Sequence, residues 1–262
     1  LVYSTGLASH TTKEAAYLSG LYEVLERDAF ICHWETGLVP QRVSDHLVNA
    51  NIPSTLKKNL AAAKIQPDVF VLRTEFNVPI FVSVYRPTDG GIAIGAASNL
   101  NFRTALTKSI VECMHTFNWI VSLKEQRLKI DDVADVNSFQ DHVVYYLDPV
   151  RSANFPWQRS SHEAAELVEF PGSWHQDAPD NAQDELALLV SKVEHCGFVP
   201  VCTEISPPEL TDIHFVVAKA TIPGLQPLSC GYGNVQRDDR RLRTFAKAKD
   251  IEFSGVKFEP LH

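Results

Sequence analysis

The 262-residue sequence contains no continuous apolar run of the roughly 18 to 20 residues that a membrane-spanning helix needs, and no charged-then-apolar leader opens it. It also lacks an excess of positive charge: 24 Lys and Arg stand against 32 Asp and Glu, a formal net charge of -8. That balance excludes an extended phosphate-neutralising surface and with it non-specific nucleic-acid binding, although small anions can still bind locally. Five cysteines, an odd number without regular close spacing, exclude a disulfide framework and fit a reducing compartment. These absences give the expectation of a cytoplasmic protein that binds neither membrane nor nucleic acid. Two further absences concern nucleotides: neither GxxxxGK[ST] nor GxGxxG occurs, so neither standard glycine-rich phosphate loop is present. There is no GxSxG elbow for a serine hydrolase. Cys32 with His33, Cys113 with His115 and His195 with Cys196 lack the CxxC or HxxxH spacing of structural zinc, and neighbours on a helix diverge by about 100°.

What is present is ordinary globular material, 45% hydrophobic and 21% charged, enough for one large core. Apolar spacing predicts helices at Lys13 to Trp34, Ser54 to Lys64, Phe102 to Lys124 and Asn181 to Cys196, and briefly after Pro207. Strand-like runs are Val69 to Phe76, Val78 to Arg86, Gly90 to Ser98, His142 to Asp148, Phe198 to Ile205 and His214 to Ile222. Asn77 suits a hairpin and "PTDGG" a turn. Helices alternating with hairpins imply an α+β fold with mixed or antiparallel sheets and packed helices. Residues Arg151 to Asp180, rich in Pro, Ser and acid, read as a long surface excursion. "QRDDRRLRTFAKAK", from Gln236, reads first as a solvated helix face and second as an anion site.

The segment from Gly6, "GLASHTTKEAAYLSGLYEVLERDAF", aligns without gaps on "GAASNLNFRTALTKSIVECMHTFNW" from Gly95. Gly6, Ala8, Ser9, Ala16 and Glu23 meet identical residues Gly95, Ala97, Ser98, Ala105 and Glu112, which suggests an internal pseudo-repeat. In the first helix Leu18, Tyr22, Leu25, Ala29 and Cys32 form one apolar stripe, the core face. Ser19, Glu23, Glu26 and Arg27 share another sector with Phe30 and Trp34, and a solvated face seldom carries two large aromatics. Ala105, Lys108, Glu112, His115 and Trp119 hold the equivalent sector of the later helix. Carboxylates in apolar surroundings must be paired, hydrogen-bonded or bound to metal. Two or three of them with Lys and Arg suit Mg²⁺ and a polyphosphate. A buried structural ion-pair network is the plainer alternative, and spacing alone favours it.

In order and spacing, "STGLAS" (Ser4 to Ser9), "EAAYLSGLYEVLERDAF" (Glu14 to Phe30), "GAAS...ALTKSIVECMH" (Gly95 to His115) and "ATIPGLQPL" (Ala220 to Leu228) resemble the YcaO family over nearly the whole chain. The resemblance implies ATP- and Mg²⁺-dependent activation of a peptide backbone amide. Its commonest form is cyclodehydration of Cys, Ser or Thr to thiazoline or oxazoline in a ribosomally made precursor peptide. Backbone thioamide formation shares the same ATP site. Residue by residue, Glu23, Glu26 and Arg27 match the family's ExxER element and Glu112 its later glutamate. Metal ligation is thereby implied for Glu23, Glu26 and Glu112, and nucleotide contacts for Ser4, Ser19, Arg27 and Lys108 as well; Lys108 stands where the family often has Arg. No catalytic residue beyond these is assigned.

Departures accompany the match. Ala15 stands where the family commonly has glutamate, and His115 where it commonly has glutamine. They motivate a second reading, a non-catalytic YcaO-like subunit that binds peptide or a partner. The implied partners are the precursor peptide and an E1-like leader-binding protein, with a homodimer also compatible. Residues 1–262 are expected to be one YcaO-type catalytic domain. "LVYSTGLAS" opens as though mid-domain, without the family's further N-terminal ATP-binding helix, and "KFEPLH" closes as though its tail were cut short.

Overall fold

A computed structural model describes residues 4–157, 166–175, 178–209, 215–228 and 239–252. The chain runs β1 (Leu7–His10), α1 (Lys13–Thr36), β2 (Gln41–Val43), α2 (Asp45–Asn51), α3 (Ser54–Ala63), β3 (Asp68–Val71), β4 (Ile80–Tyr85), β5 (Ala93–Ser98) and α4 (Phe102–Glu125). There follow α5 (Phe139–Tyr145), α6 (Pro149–Ala153), β6 (Glu166–Leu167), α7 (Ala182–His195), β7 (Val201–Glu204), β8 (Val216–Thr221) and α8 (Asp239–Ala248). Two sheets result, an antiparallel one of order β1-β8-β7 and a mixed one of order β5-β4-β3-β2-β6, in which only β2 and β6 run parallel. The fold is therefore α+β with mixed and antiparallel sheets. No helix among the described residues is long and apolar enough to cross a membrane.

The larger sheet is buried on both faces, which explains why β3 and β4 read as nearly unbroken apolar runs rather than alternating ones. Phe70, Ile80, Val82 and Val84 face the cluster that contains α1's Leu21, Leu25 and Trp34. Val69, Val71 and Phe81 face the opposite way, against Phe102, Leu106 and Ile110 of α4. Helix α1 also packs on β1 and β8 of the smaller sheet, so it lies between the two sheets. Its ends are set locally. Thr12 Oγ1 accepts from the Ala15 amide, and Gly37 closes the helix in the left-handed region at φ 69°. The predicted stripe Leu18, Tyr22, Leu25, Ala29 and Cys32 is buried, and from Asp28 to Thr36 the helix is buried all round.

The structure corrects several expectations. His142 to Asp148 is not a strand: α5 ends at Tyr145, with Ser138 capping its first turn, so the β-branched pair Val143 and Val144 follows its capping context rather than strand propensity. The stretch Arg151 to Asp180 is not a surface excursion where it is described. Phe155, Trp157, Phe170 and Trp174 are all buried, and Leu167 joins the larger sheet through β6. Four large apolar side chains outweigh the polar composition around them. The basic helix α8 does present a solvated face, with Arg240, Arg243 and Lys247 exposed, but its other face, with Arg241, Leu242, Phe245 and Ala246, is buried; Gln236 to Asp238 lie outside the described residues. So do His214, Cys230 and most of the segment after Pro207. Each of the two aligned segments runs into a helix of 24 residues. Their strands lie in different sheets and pair differently, so the topology does not establish a repeat.

His33 is buried, its Nδ1 is 2.8 Å from the Ala29 carbonyl oxygen and its ring meets Phe245 edge-on. Burial pulls its pKa down to about 4, against the smaller opposing effect of the Ala29 carbonyl. The neutral ring is the one the fold accommodates. Its stabilisation is complete above the ordinary histidine pKa near 6.5 and is lost as pH falls towards 4. In urea unfolding from pH 7 to pH 4, the stability gap between wild type and His33→Gln should narrow by about 3 kcal/mol. A gap independent of pH would show that His33 titrates as in the unfolded chain.

Candidate functional site

Helices α1 and α4 flank the larger sheet from opposite faces, and their charged sectors meet around β5, its edge strand. Two close backbone approaches permit this. Gly6, in the turn before β1, has φ 80°, and a Cβ there would stand 2.1 Å from the Ala220 carbonyl oxygen. Its own carbonyl is pressed against Gly20 of α1, where a Cβ would come within 2.7 Å of it. Gly95 in β5 lies under α4: a Cβ would be 2.0 Å from the Cys113 nitrogen and 2.6 Å from the Glu112 carbonyl carbon. Any side chain at Gly95 would push Glu112 away from α1.

The Gly6 amide donates to Glu23 Oε2 at 2.8 Å, and Arg27 Nη2 meets Glu23 Oε1 at 2.7 Å. Glu23 is thus aimed by a backbone donor on one side and a guanidinium on the other. Glu26, one turn along and half-buried, has its pKa pushed up to about 7. Burial is the main cause; Arg27 opposes it, the charges of Glu23 and Glu112 add to it, and the Ser98 backbone opposes it again. Three carboxylates from two helices therefore share one field with Arg27. Because the folded pKa lies above the unfolded one, Glu26 favours folding below pH 4.5 and loses that contribution as pH rises through 7. This trend opposes that of His33, which is why the stability gap isolates the histidine.

The remaining predicted residues are placed less centrally. Ser19 is exposed on α1 and donates its hydroxyl to the Ala15 carbonyl at 2.9 Å. Ser4 is exposed at the start of the Gly6 turn, where its carbonyl accepts from the Leu7 amide. Lys108 and Glu112 are exposed on α4, one turn apart. The carboxylates Glu23, Glu26 and Glu112 do not form a closed ligand set. Among the described residues no group of three or more Asp, Glu, His or Cys side chains is close enough to hold a metal ion. At Glu23 one oxygen accepts from the Gly6 amide and the other meets Arg27. The neighbourhood still fits a cation with its polyphosphate: the charges of Glu23 and Glu112 disfavour that of Glu26, and the buried Arg27 Nε has no hydrogen-bond partner.

A family model described as YcaO cyclodehydratase, ATP- and Mg²⁺-binding, matches residues 1–226. The chain belongs to the YcaO family. The match takes in the whole Glu23, Glu26, Arg27 and Glu112 neighbourhood of this YcaO chain and stops before α8. Solved YcaO-type structures share its fold. The heterocyclase TruD is 19% identical at TM-score 0.63, over 88% of this chain and 30% of that one. A heterocyclase in complex with substrate and cofactor is 16% identical at TM-score 0.68, over 97% and 33%. YcaO from Methanopyrus kandleri, bound with AMPPCP and Mg²⁺, is 13% identical at TM-score 0.59, over 99% and 60%. The chain thus spans about a third of the two heterocyclases. No curated protein matches the sequence.

Residue types and spacing did not single out Gly6 as a donor or Ser98 as a backbone neighbour of Glu26. The signal was available, since Gly6 and Gly95 both head the aligned segments. A second miss is Asp28. Its fully buried carboxylate accepts from the Gln226 amide at 2.8 Å, from Arg241 Nε at 3.0 Å and from Arg241 Nη2 at 2.5 Å. Arg241 reaches on to Glu75 and is ringed by Phe76, Phe198 and Phe245.

Proposed function

We propose that this chain is the ATP- and Mg²⁺-using unit of an enzyme that activates a peptide backbone amide, with residues 1–262 as one YcaO-type catalytic domain. The reaction that fits best is cyclodehydration of Cys, Ser or Thr to an azoline in a ribosomally made precursor peptide. The observation that carries this reading is the convergence of Glu23, Glu26 and Glu112 beside Arg27 within the matched region. The three carboxylates are assigned to Mg²⁺, and Ser4, Ser19, Arg27 and Lys108 to the nucleotide. Arg27 would exchange its hold on Glu23 for phosphate oxygens, freeing a carboxylate oxygen for the cation. Lys108 would offset further phosphate charge as a point cation.

When bound, Mg-ATP would supply the phosphoryl group that turns the amide oxygen into a leaving group; ATP and peptide become ADP, hydrogen phosphate and the ring, and of the two protons lost from the nucleophile and the amide nitrogen one ends on the phosphate and the other in solvent. The bound AMPPCP and Mg²⁺ of the Methanopyrus kandleri protein, and the substrate and cofactor of the second heterocyclase, support this assignment. Thioamide formation would use the same residues with a different nucleophile. A leader-binding E1-like protein is the proposed companion.

The second reading, a non-catalytic peptide- or partner-binding subunit, draws on Glu23 being held by Arg27 and on Ala15 and His115. Calorimetric titration of Mg-ATP into the full-length natural protein separates the two. The catalytic reading expects saturable binding that disappears when EDTA removes the cation. Binding indifferent to EDTA, or none by folded protein, would leave these carboxylates with a structural role.

A further inference from the structure

Around α2, α3 and the start of α4 the acidic chain carries Lys57, Lys64 and Arg103, which the site above does not use, next to Lys108, which it does. Helices α2 and α3 form an elbow at Ile52 and Pro53 that rests against α4, and cavities open on either side of it. One, of about 360 Å³, runs along α3 past Lys57 and Lys64 down to Ile110. The other, of about 560 Å³, lies between the elbow and the first turns of α4, past Arg103 and Lys108. Ile52 lines both. Among the described residues Lys57, Lys64, Arg103 and Lys108 have no carboxylate partner. The acidic group on the rim, Asp45, is already engaged by Arg42 and Gln66.

We propose that the two cavities flanking the elbow together dock an acidic peptide segment in which carboxylates alternate with apolar side chains. Cations at both ends and buried isoleucines between them call for that alternation. Other anions fit less well. No aromatic side chain lines either cavity, so a nucleic-acid base would find no stacking platform. The first amides of α4, at Arg103 and Thr104, are already bonded to the Asn101 side chain, so they are not free for a phosphate group. Lys108 lies one turn from Glu112, so a segment seated in the two cavities would extend towards the carboxylate cluster. To call that segment substrate rests on the function proposed above; the docking itself does not.

The test is fluorescence anisotropy of the full chain with a labelled peptide of alternating Asp, Glu and Leu, across a range of salt. Expected are binding that weakens as salt rises, at least a tenfold loss of affinity in Lys57→Glu/Lys64→Glu, and a smaller loss in Lys57→Gln/Lys64→Gln. Glu23→Gln should bind the peptide as wild type does, which keeps failure of the nucleotide reading distinct from failure of this one. The proposal is overturned if wild type does not bind, if folded charge-reversed protein binds equally well, or if polyuridylate binds more tightly than the peptide.

Discussion

Glu23→Gln should reduce peptide-dependent ATP turnover of the intact enzyme by at least about a hundredfold, in the range seen when one preorganised charged contact to a transferring group is removed. The substitution keeps the side chain's size and leaves a carbonyl oxygen for the Gly6 amide, so the turn before β1 stays supported. What disappears is one negative charge beside Arg27 and Glu26. With it goes a cation ligand and the partner that orients the guanidinium. Thermal unfolding close to that of wild type should accompany the loss. Turnover and Mg-ATP affinity both unchanged in Glu23→Gln would remove this carboxylate from the nucleotide site. A large fall in stability together with turnover would instead identify the Glu23 and Arg27 pair as a structural network, the plainer alternative that spacing alone favours.

Arg241→Met should be the most destabilising single change at a charged position. Its guanidinium and the Asp28 carboxylate are almost completely buried, with side-chain exposures of 2% and 0%. Burial would push the Asp28 pKa up, and Arg241 acts against it. Removing one member of such a pair leaves an uncompensated charge and costs about 3–5 kcal/mol, or roughly 10 °C in Tm for a chain of this size. The double variant Asp28→Leu/Arg241→Met should recover part of that loss, because no charge is then stranded; Glu75, exposed at its margin, stays hydrated. A double variant less stable than Arg241→Met would show that packing among Phe76, Phe198 and Phe245, rather than charge, governs the position.

Helix boundaries with local causes were readable in the sequence. Thr12, Asn101 and Gly37 act within a few residues of where they stand, and the long helices begin at the predicted residues, Lys13 and Phe102. The buried face of α1 was equally legible, because a stripe of Leu, Tyr and Ala at helical spacing has one physical use. Elements held by distant partners were not. Strand β6 is two residues long and exists through its pairing with Arg42 and Val43. Val143 and Val144 suited a strand until the Ser138 cap claimed them. At the site, the sequence marked the charged residues of α1 and α4 but not their enclosure. That depends on Gly95 and Gly20, whose contribution is the absence of a side chain. Arg241 was misread because a helix rich in Arg and Lys resembles a solvated face until a buried carboxylate is known to wait for one of them.

The placement of Asp28 bears on how the molecule is made. Its carboxylate is clasped by Arg241, 213 positions later, and β1 finds its neighbour in β8. During synthesis α1 therefore leaves the ribosome well before two of the pieces that enclose it, β8 and α8. The larger sheet can pair strand with strand as synthesis proceeds, but α1 stays incompletely shielded until α8 emerges. Long-range closure of this kind slows folding and prolongs exposure to aggregation. Premature termination ahead of α8 would thus yield a polypeptide with its site-bearing helix assembled and one buried acid left without its counterion.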